Sequence, residues 1–258
     1  MKQNKLDRHW PFQETRPSRI VVKVGSNVLA APRTGLDHER IRALCEELAQ
    51  IRKQGIEVLL VSSGAVAAGR GILDLTKRPS EIPELQAIAA IGQGALMEEY
   101  NHFLRPHGLI AAQMLLNRDD MDDRRRYLNA RLALSSLLQH NVVIPVINEN
   151  DSVNIDELKF GDNDMLSAII AAKMDADLLV ILSNVPGLMT GHPKQDPDAR
   201  IIPVVEEMSE EIVRLVHGEM SHHGTGGMGS KLEAAGHATH FGVPCVITDG
   251  MSPGGVTK

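Results

Sequence analysis

Between Glu149 and Asp164 the chain carries six carboxylates, Glu149, Asp151, Asp156, Glu157, Asp162 and Asp164, against one cation, Lys159. The stretch follows the β-branched run NVVIPVI and leads straight into the apolar run MLSAIIAA, so its acids sit at a strand end and a helix start. In open α/β sheets ligands bind outside the carboxyl ends of the strands, which makes these acids candidates for substrate contact. The competing reading is a solvated acidic hairpin.

Lys23, inside the strand-like run RIVVKVG, has the complementary charge. An ammonium buried in a sheet needs an anion, so Lys23 marks an anionic ligand unless it lies on the wet face of an edge strand. The turn that follows, Gly25-Ser26-Asn27, is small and rich in donors. EVLLVSSGAVAAGRG likewise runs from a strand into Ser63-Gly64-Ala65, where backbone N–H groups at a helix start can face an anion. DLLVILSNVPGLMT ends in Ser183-Asn184 before a Pro-Gly turn.

A further candidate is GTGGMGSK, residues 224–231, which opens a helical pattern. It formally matches G-x-G-x-x-G, but the preceding VHGEMSHHG is no strand. It also ends Gly-Ser-Lys, the wrong order for a phosphate loop. What remains is a glycine-rich turn at a helix N-terminus, with unpaired N–H donors and the mobile charge of Lys231. His222 and His223 precede it, and no other His, Cys or carboxylate stands at ligand spacing, so no metal site made of protein side chains is expected.

The elements that must position these groups alternate. Ile41, Leu44, Cys45, Leu48 and Ile51 set a helical period over residues 38–54, and Gly55 stops it. Residues 85–104 read as a long helix with Gly92 and Gly94 as soft spots, LIAAQMLL as a strand, and residues 124–140 as a helix. After the strand VVIPVI and the acidic stretch, residues 163–173 form a helix with Asp162 or Asn163 as N-cap and Asp164 in its first turn. Such alternation predicts a parallel sheet with helices on its faces.

Bulk properties exclude several classes. The net charge is −6, and Arg124-Arg125-Arg126 is offset by Asp119, Asp120, Asp122 and Asp123, so no nucleic-acid surface is expected. No run reaches the length of about 20 apolar residues that a membrane span needs. Residues 1–18 are polar, with no apolar targeting core, and read as a mobile tail. Cys45 and Cys245 have no partner at motif spacing and read as core thiols, so a cytoplasmic location is expected.

Taken together and in order, VVKVGSNVL, LLVSSGAVAAG, INENDSV, KFGDNDMLSA and GTGGMGSK resemble the glutamate 5-kinases of the amino acid kinase family. The resemblance runs from about Arg19 to the end. It implies a three-layer α-β-α sandwich with a mainly parallel central sheet, in one domain over residues 19–258 that stops before the last strand and the PUA domain many relatives carry. It implies phosphorylation of the γ-carboxylate of L-glutamate by ATP with Mg2+, the first step of proline synthesis, in a homodimer or homotetramer. By the same resemblance Lys23 and Lys231 flank the transferred phosphoryl group, and Asp164 holds both lysines. Ser63, Gly64, Ala65, Asn148, Asp151 and Asn163 bind glutamate, with Lys159 on the substrate hairpin. The nucleotide is met by Lys23, Gly25, Ser26, Ser183, Asn184 and the loop Thr225, Gly226, Gly227, Met228, Gly229, Ser230 and Lys231.

The chain departs from the pattern at Ser183-Asn184, where relatives usually have Thr-Asp, and at Ser26-Asn27, where they have Thr-Ser. The alternatives are a sister kinase acting on another carboxylate or phosphate, a non-catalytic binding protein on the same scaffold, and a nicotinamide-dependent dehydrogenase.

Overall fold

Every strand-like run enters one sheet. The computed structural model describes residues 16–31, 35–153, 163–191, 196, 198–210, 212 and 227–257. Its first elements are β1 (Arg19–Val24), α1 (Ser26–Leu29), α2 (His38–Lys53), β2 (Glu57–Ser62), α3 (Ala65–Ile72) and α4 (Ile82–Leu104). There follow β3 (Ile110–Leu115), α5 (Arg118–Asp122), α6 (Arg124–Leu138), β4 (Val143–Asn148), α7 (Asn163–Lys173), β5 (Leu178–Ser183), α8 (Met228–His240) and β6 (Cys245–Asp249). The strand order is β3-β4-β2-β1-β5-β6, and every neighbouring pair is parallel. The sheet expected to be mainly parallel is therefore parallel throughout the described residues.

β1 lies in the interior, with Lys23 paired to Val61 on one side and Ile181 on the other, so Lys23 is not on an edge strand. Period-two alternation then sorts the strand. Ile20, Val22 and Val24 join Leu44 and Leu48 of α2 and Leu96 and Tyr100 of α4 in one apolar layer. Val21 joins Leu134 of α6, Ile170 of α7 and Ala234 of α8 in the other. Lys23 shares the parity of Val21 and faces the α7–α8 layer. The sandwich is therefore built around a strand that carries its buried charge, Lys23, into the second layer.

The clustered charges before α6 are helix punctuation. Asp123 caps α6 by accepting from the Arg126 N–H at 2.8 Å, and Asp120 closes a capping box on α5 with Asn117 while pairing with Arg126 at 3.2 Å. Among the described residues no helix is long and apolar enough to cross a membrane. Cys45 and Cys245 are free, and burial pushes both thiols up to about 12, which leaves them protonated and unreactive at neutral pH.

The long helix begins at Ile82, three residues before its first buried residue, Leu85, with Pro83 in its opening turn, where a missing N–H is harmless. Gly92 is not a soft spot. A β-carbon there lies 1.9 Å from the Ala65 carbonyl oxygen, and one on Gly69 lies 2.1 Å from the Ile88 carbonyl oxygen, so two glycines let α3 and α4 touch backbone to backbone. A β-carbon on Gly94 meets nothing within 4 Å among the described residues. We expect Gly92→Ala to lose about 3 kcal/mol by urea unfolding, because neither backbone can yield cheaply. Gly94→Ala is expected to equal or exceed the wild type, by up to about 1 kcal/mol of helix propensity.

Candidate active site

Four neighbouring strands end in polar groups on the same edge of the sheet: Lys23 in β1, Ser62 leading to Ser63 after β2, Asn148 in β4 and Ser183 in β5. A cleft of about 180 Å³ lies beyond these ends, walled by Lys23, Gly25, Ser63, Asp151, Ser183 and Lys231. The chain leaves β1 for β2 on one side while β5 flanks it on the other, and a crevice forms where the connections diverge.

Three charges meet at its floor. Asp164, in the first turn of α7, is 0% exposed, and its Oδ1 lies 2.5 Å from Lys23 Nζ. Its Oδ2 lies 3.1 Å from Lys231 Nζ and accepts from Ser230 Oγ at 2.7 Å. α7 and α8 pack together with their first turns adjacent, which is how residues so far apart in sequence share one carboxylate. Gly25 makes room for the Lys23 ammonium, since a β-carbon there lies 3.2 Å from Nζ.

Burial by itself raises the Asp164 pKa. The charges of Lys23 and Lys231, with hydrogen bonds from Lys23 and Ser230, outweigh it and hold the carboxyl below its ordinary range. Lys231 shifts down, first through burial and then through repulsion from Lys23, with Asp164 opposing both. One carboxylate between two ammonium groups leaves the cleft with a surplus positive charge, suited to phosphate oxygens.

Beside the charges lies a run of buried amides. Asn163 Nδ2 donates to Ser63 Oγ and to Asn148 Oδ1, both at 2.8 Å. Asn148 Nδ2 donates to Gln93 Oε1 at 2.9 Å and stands 3.5 Å from Asp151 Oδ2. Asn148 and Asn163 are each 1% exposed, and Ser63 and Asp151 sit at the lip at 8%. Gly64 takes φ +118°, a conformation strained for any residue with a β-carbon, and turns the chain from β2 into α3 so that Gly64 and Ala65 line the cleft.

The structure thus brings Lys23, Asp164 and Lys231 into direct contact and gathers Ser63, Asn148, Asp151 and Asn163 beside them. Ser26 and Asn184 are exposed on the cleft wall, and Ser183 is buried at the end of β5. Gly227 is the N-cap of α8, and Met228, Gly229 and Ser230 form its opening turn. Lys159, Thr225 and Gly226 lie outside the described residues, as do Asp156, Glu157, Asp162, His222 and His223 and most of the expected tail. No group of three His, Cys, Asp or Glu able to hold a metal occurs among the described residues.

Asn27, part of the donor-rich turn after β1, lines the cleft as well. Sequence reasoning passed over three groups: Arg70 and Arg78 line the cleft, and Gln93 supports it. Arg70 Nη2 donates to the carbonyls of Leu75 and Thr76, bracing the turn that leads to the exposed Arg78. The available signal for Gln93 was an amide on the otherwise apolar stripe of α4, next to Gly92. Arg78, in a polar loop, gave none.

The family model described as "Amino acid kinase family" matches residues 18–249. The chain is 50% identical over 239 residues to a glutamate 5-kinase of Trichlorobacter lovleyi, covering 93% of this chain and 63% of the relative. It is 48% identical over 243 residues to a glutamate 5-kinase of Dehalococcoides mccartyi, covering 93% and 65%. The chain therefore spans less than two thirds of these curated relatives. Two solved structures share the fold at low identity. A UMP kinase from Bacillus anthracis has a TM-score of 0.61 and 18% identity, with 92% of this chain and 89% of that one covered. A carbamate kinase from Giardia lamblia bound to AMP-PNP has a TM-score of 0.61 and 20% identity, with 92% and 93% covered.

Proposed function

Since this chain belongs to the amino acid kinase family, we propose that it transfers the γ-phosphoryl group of ATP to the γ-carboxylate of L-glutamate, the opening step of proline synthesis. A carboxylate oxygen forms the new bond to phosphorus, the bond from phosphorus to the bridging oxygen breaks, and ADP departs with that electron pair. The products are γ-glutamyl phosphate and ADP. The observation that carries this reading is the Asp164 carboxylate held between Lys23 and Lys231 at the cleft floor.

The acceptor is already ionised at neutral pH, so no general base is needed and the work left is positioning and charge stabilisation. Lys23 and Lys231 neutralise charge on the transferred group, and Asp164 keeps their ammonium groups from repelling each other apart. Ser63, Asn148 and Asn163 orient the amino acid, together with the N–H groups of Gly64 and Ala65, and Asp151 receives its α-ammonium. Gly25, Ser26, Ser183, Asn184 and residues 225–231 serve the nucleotide, with Lys159 on the substrate side.

Both oxygens of Asp164 are occupied by cations and a hydroxyl. Asp164 is thus engaged elsewhere, and the site fits a Mg2+ carried on the phosphates of ATP, as Mg2+ is commonly held. When bound, Mg2+ supplies neutralisation of phosphate charge. The protein works in the cytoplasm as a homodimer or homotetramer, which light scattering at micromolar concentration checks.

Hydroxylamine trapping tests the reaction. With ATP and glutamate the acyl phosphate is captured as a hydroxamate, and aspartate and acetylglutamate yield none. Hydroxamate from either of those instead moves the chain to a sister activity. Binding of ATP without turnover of any of them removes the enzymatic reading.

A further inference from the structure

Gln93 lies outside every motif, yet it sets the polarity of the buried amides. One member of the relay cannot be reversed: the backbone N–H of Glu149 donates to Asn148 Oδ1 at 2.9 Å. An amide nitrogen cannot accept, so this contact fixes which end of Asn148 is oxygen. Its other end is then Nδ2, a donor, and must meet an acceptor, which Gln93 Oε1 supplies at 2.9 Å. Asn148 Oδ1 in turn requires a donor from Asn163, met by Nδ2 at 2.8 Å, and the same Nδ2 reaches Ser63 Oγ at 2.8 Å.

We propose that Gln93 is a positioning residue of the amino-acid subsite: by accepting from Asn148 it locks Asn148, and through it Asn163, in the orientation that receives the substrate. This deepens the glutamate-kinase reading and rests on it.

Two observations support the assignment. Gln93 follows Gly92, whose missing side chain lets α4 close on Ala65 at the start of α3, so the same close approach brings the amide within reach of β4. Gln93 Nε2, moreover, is buried with no partner among the described residues. An unmet buried donor destabilises the fold, and an apolar side chain of equal length avoids that cost. The amide at this position makes sense through its oxygen.

The test compares Gln93→Met, which keeps the length and removes the acceptor, with the wild type, using the full 258-residue chain and the hydroxamate assay. The KM for glutamate rises about tenfold, in keeping with loss of one orienting hydrogen bond. The KM for ATP stays within twofold, and the melting temperature does not fall. In an Asn148→Ala background the same substitution adds no further rise, because Gln93 acts through Asn148. If turnover there is too slow, glutamate-induced thermal shifts give the same comparison. An unchanged KM for glutamate, an equal rise in both KM values, or independent effects of the two substitutions overturns the proposal. Wild-type hydroxamate formation, measured alongside, reports separately on the glutamate reading.

Discussion

Lys23→Ala lowers kcat by at least two powers of ten while the protein remains folded, and Lys231→Ala does the same. With an acceptor that is already an anion, the barrier to phosphoryl transfer is largely electrostatic, and removing one preorganised cation forfeits about 2.7 kcal/mol or more of transition-state stabilisation. Lys23 is 3% exposed and Lys231 6%, so neither is replaced by a mobile surface cation. Folding survives each single change because Asp164 keeps the other lysine and the Ser230 hydroxyl. Initial rates of hydroxamate formation, with circular dichroism as the control for folding, check this. Near-wild-type turnover in either variant removes that lysine from the mechanism. The lowered pKa of Lys231 also sets a direction with pH. The free enzyme loses this cation below the usual lysine range, so kcat/KM declines on the alkaline side before an ordinary lysine would titrate.

Asp164→Asn has the larger combined effect, on stability and on turnover together. The substitution keeps the shape of the side chain but leaves two buried ammonium groups side by side with no counter-charge. Removing one partner from a buried ionic set typically costs about 3–5 kcal/mol. One lysine escapes by shedding its proton, and the cleft loses a cation that the reaction uses, so turnover falls at least a hundredfold as well. The pH dependence has a definite sign. Asp164 is held below its ordinary pKa in the folded state, so its contribution to stability is complete above the unfolded carboxylate value of about 4 and disappears as pH falls through the lower folded value. Urea unfolding of the two proteins should therefore show a full gap at neutral pH that closes only in acid below that range. A gap that persists unchanged at low pH, or none at pH 7, contradicts the ionic role of Asp164.

Much of this was legible in the residues themselves. β-Branched runs ending in polar residues located the strands because burial on both faces demands uninterrupted apolar side chains, and the lysine in RIVVKVG stood out because it broke that demand. Helical periods located α2, α6 and α7 for the same reason, and small residues after β2 and before α8 marked turns that need little side-chain volume. The order of these motifs carried the family. Each is local, resting on a few neighbouring side chains and the backbone between them.

What the chain could not state locally was which partners meet. Lys231 and Asp164 are 67 residues apart in sequence and touch because α7 and α8 pack side by side on one face of the sheet. Lys23 reaches the same carboxylate because β1 lies inside the sheet, with its parity turned toward that layer. The role of Gly92 had the same origin, since only the approach of a second backbone distinguishes a glycine that must be there from one that weakens a helix. Gln93 depended on a further step, the direction of a single backbone N–H at the end of β4. Sequence by itself determined the elements and the charged residues of the site, because local patterns of polarity set them. Tertiary structure alone decided that the carboxylate of Asp164 lies between two lysines and that the amide of Gln93 on α4 meets Asn148, because both depend on distances between segments remote in the chain.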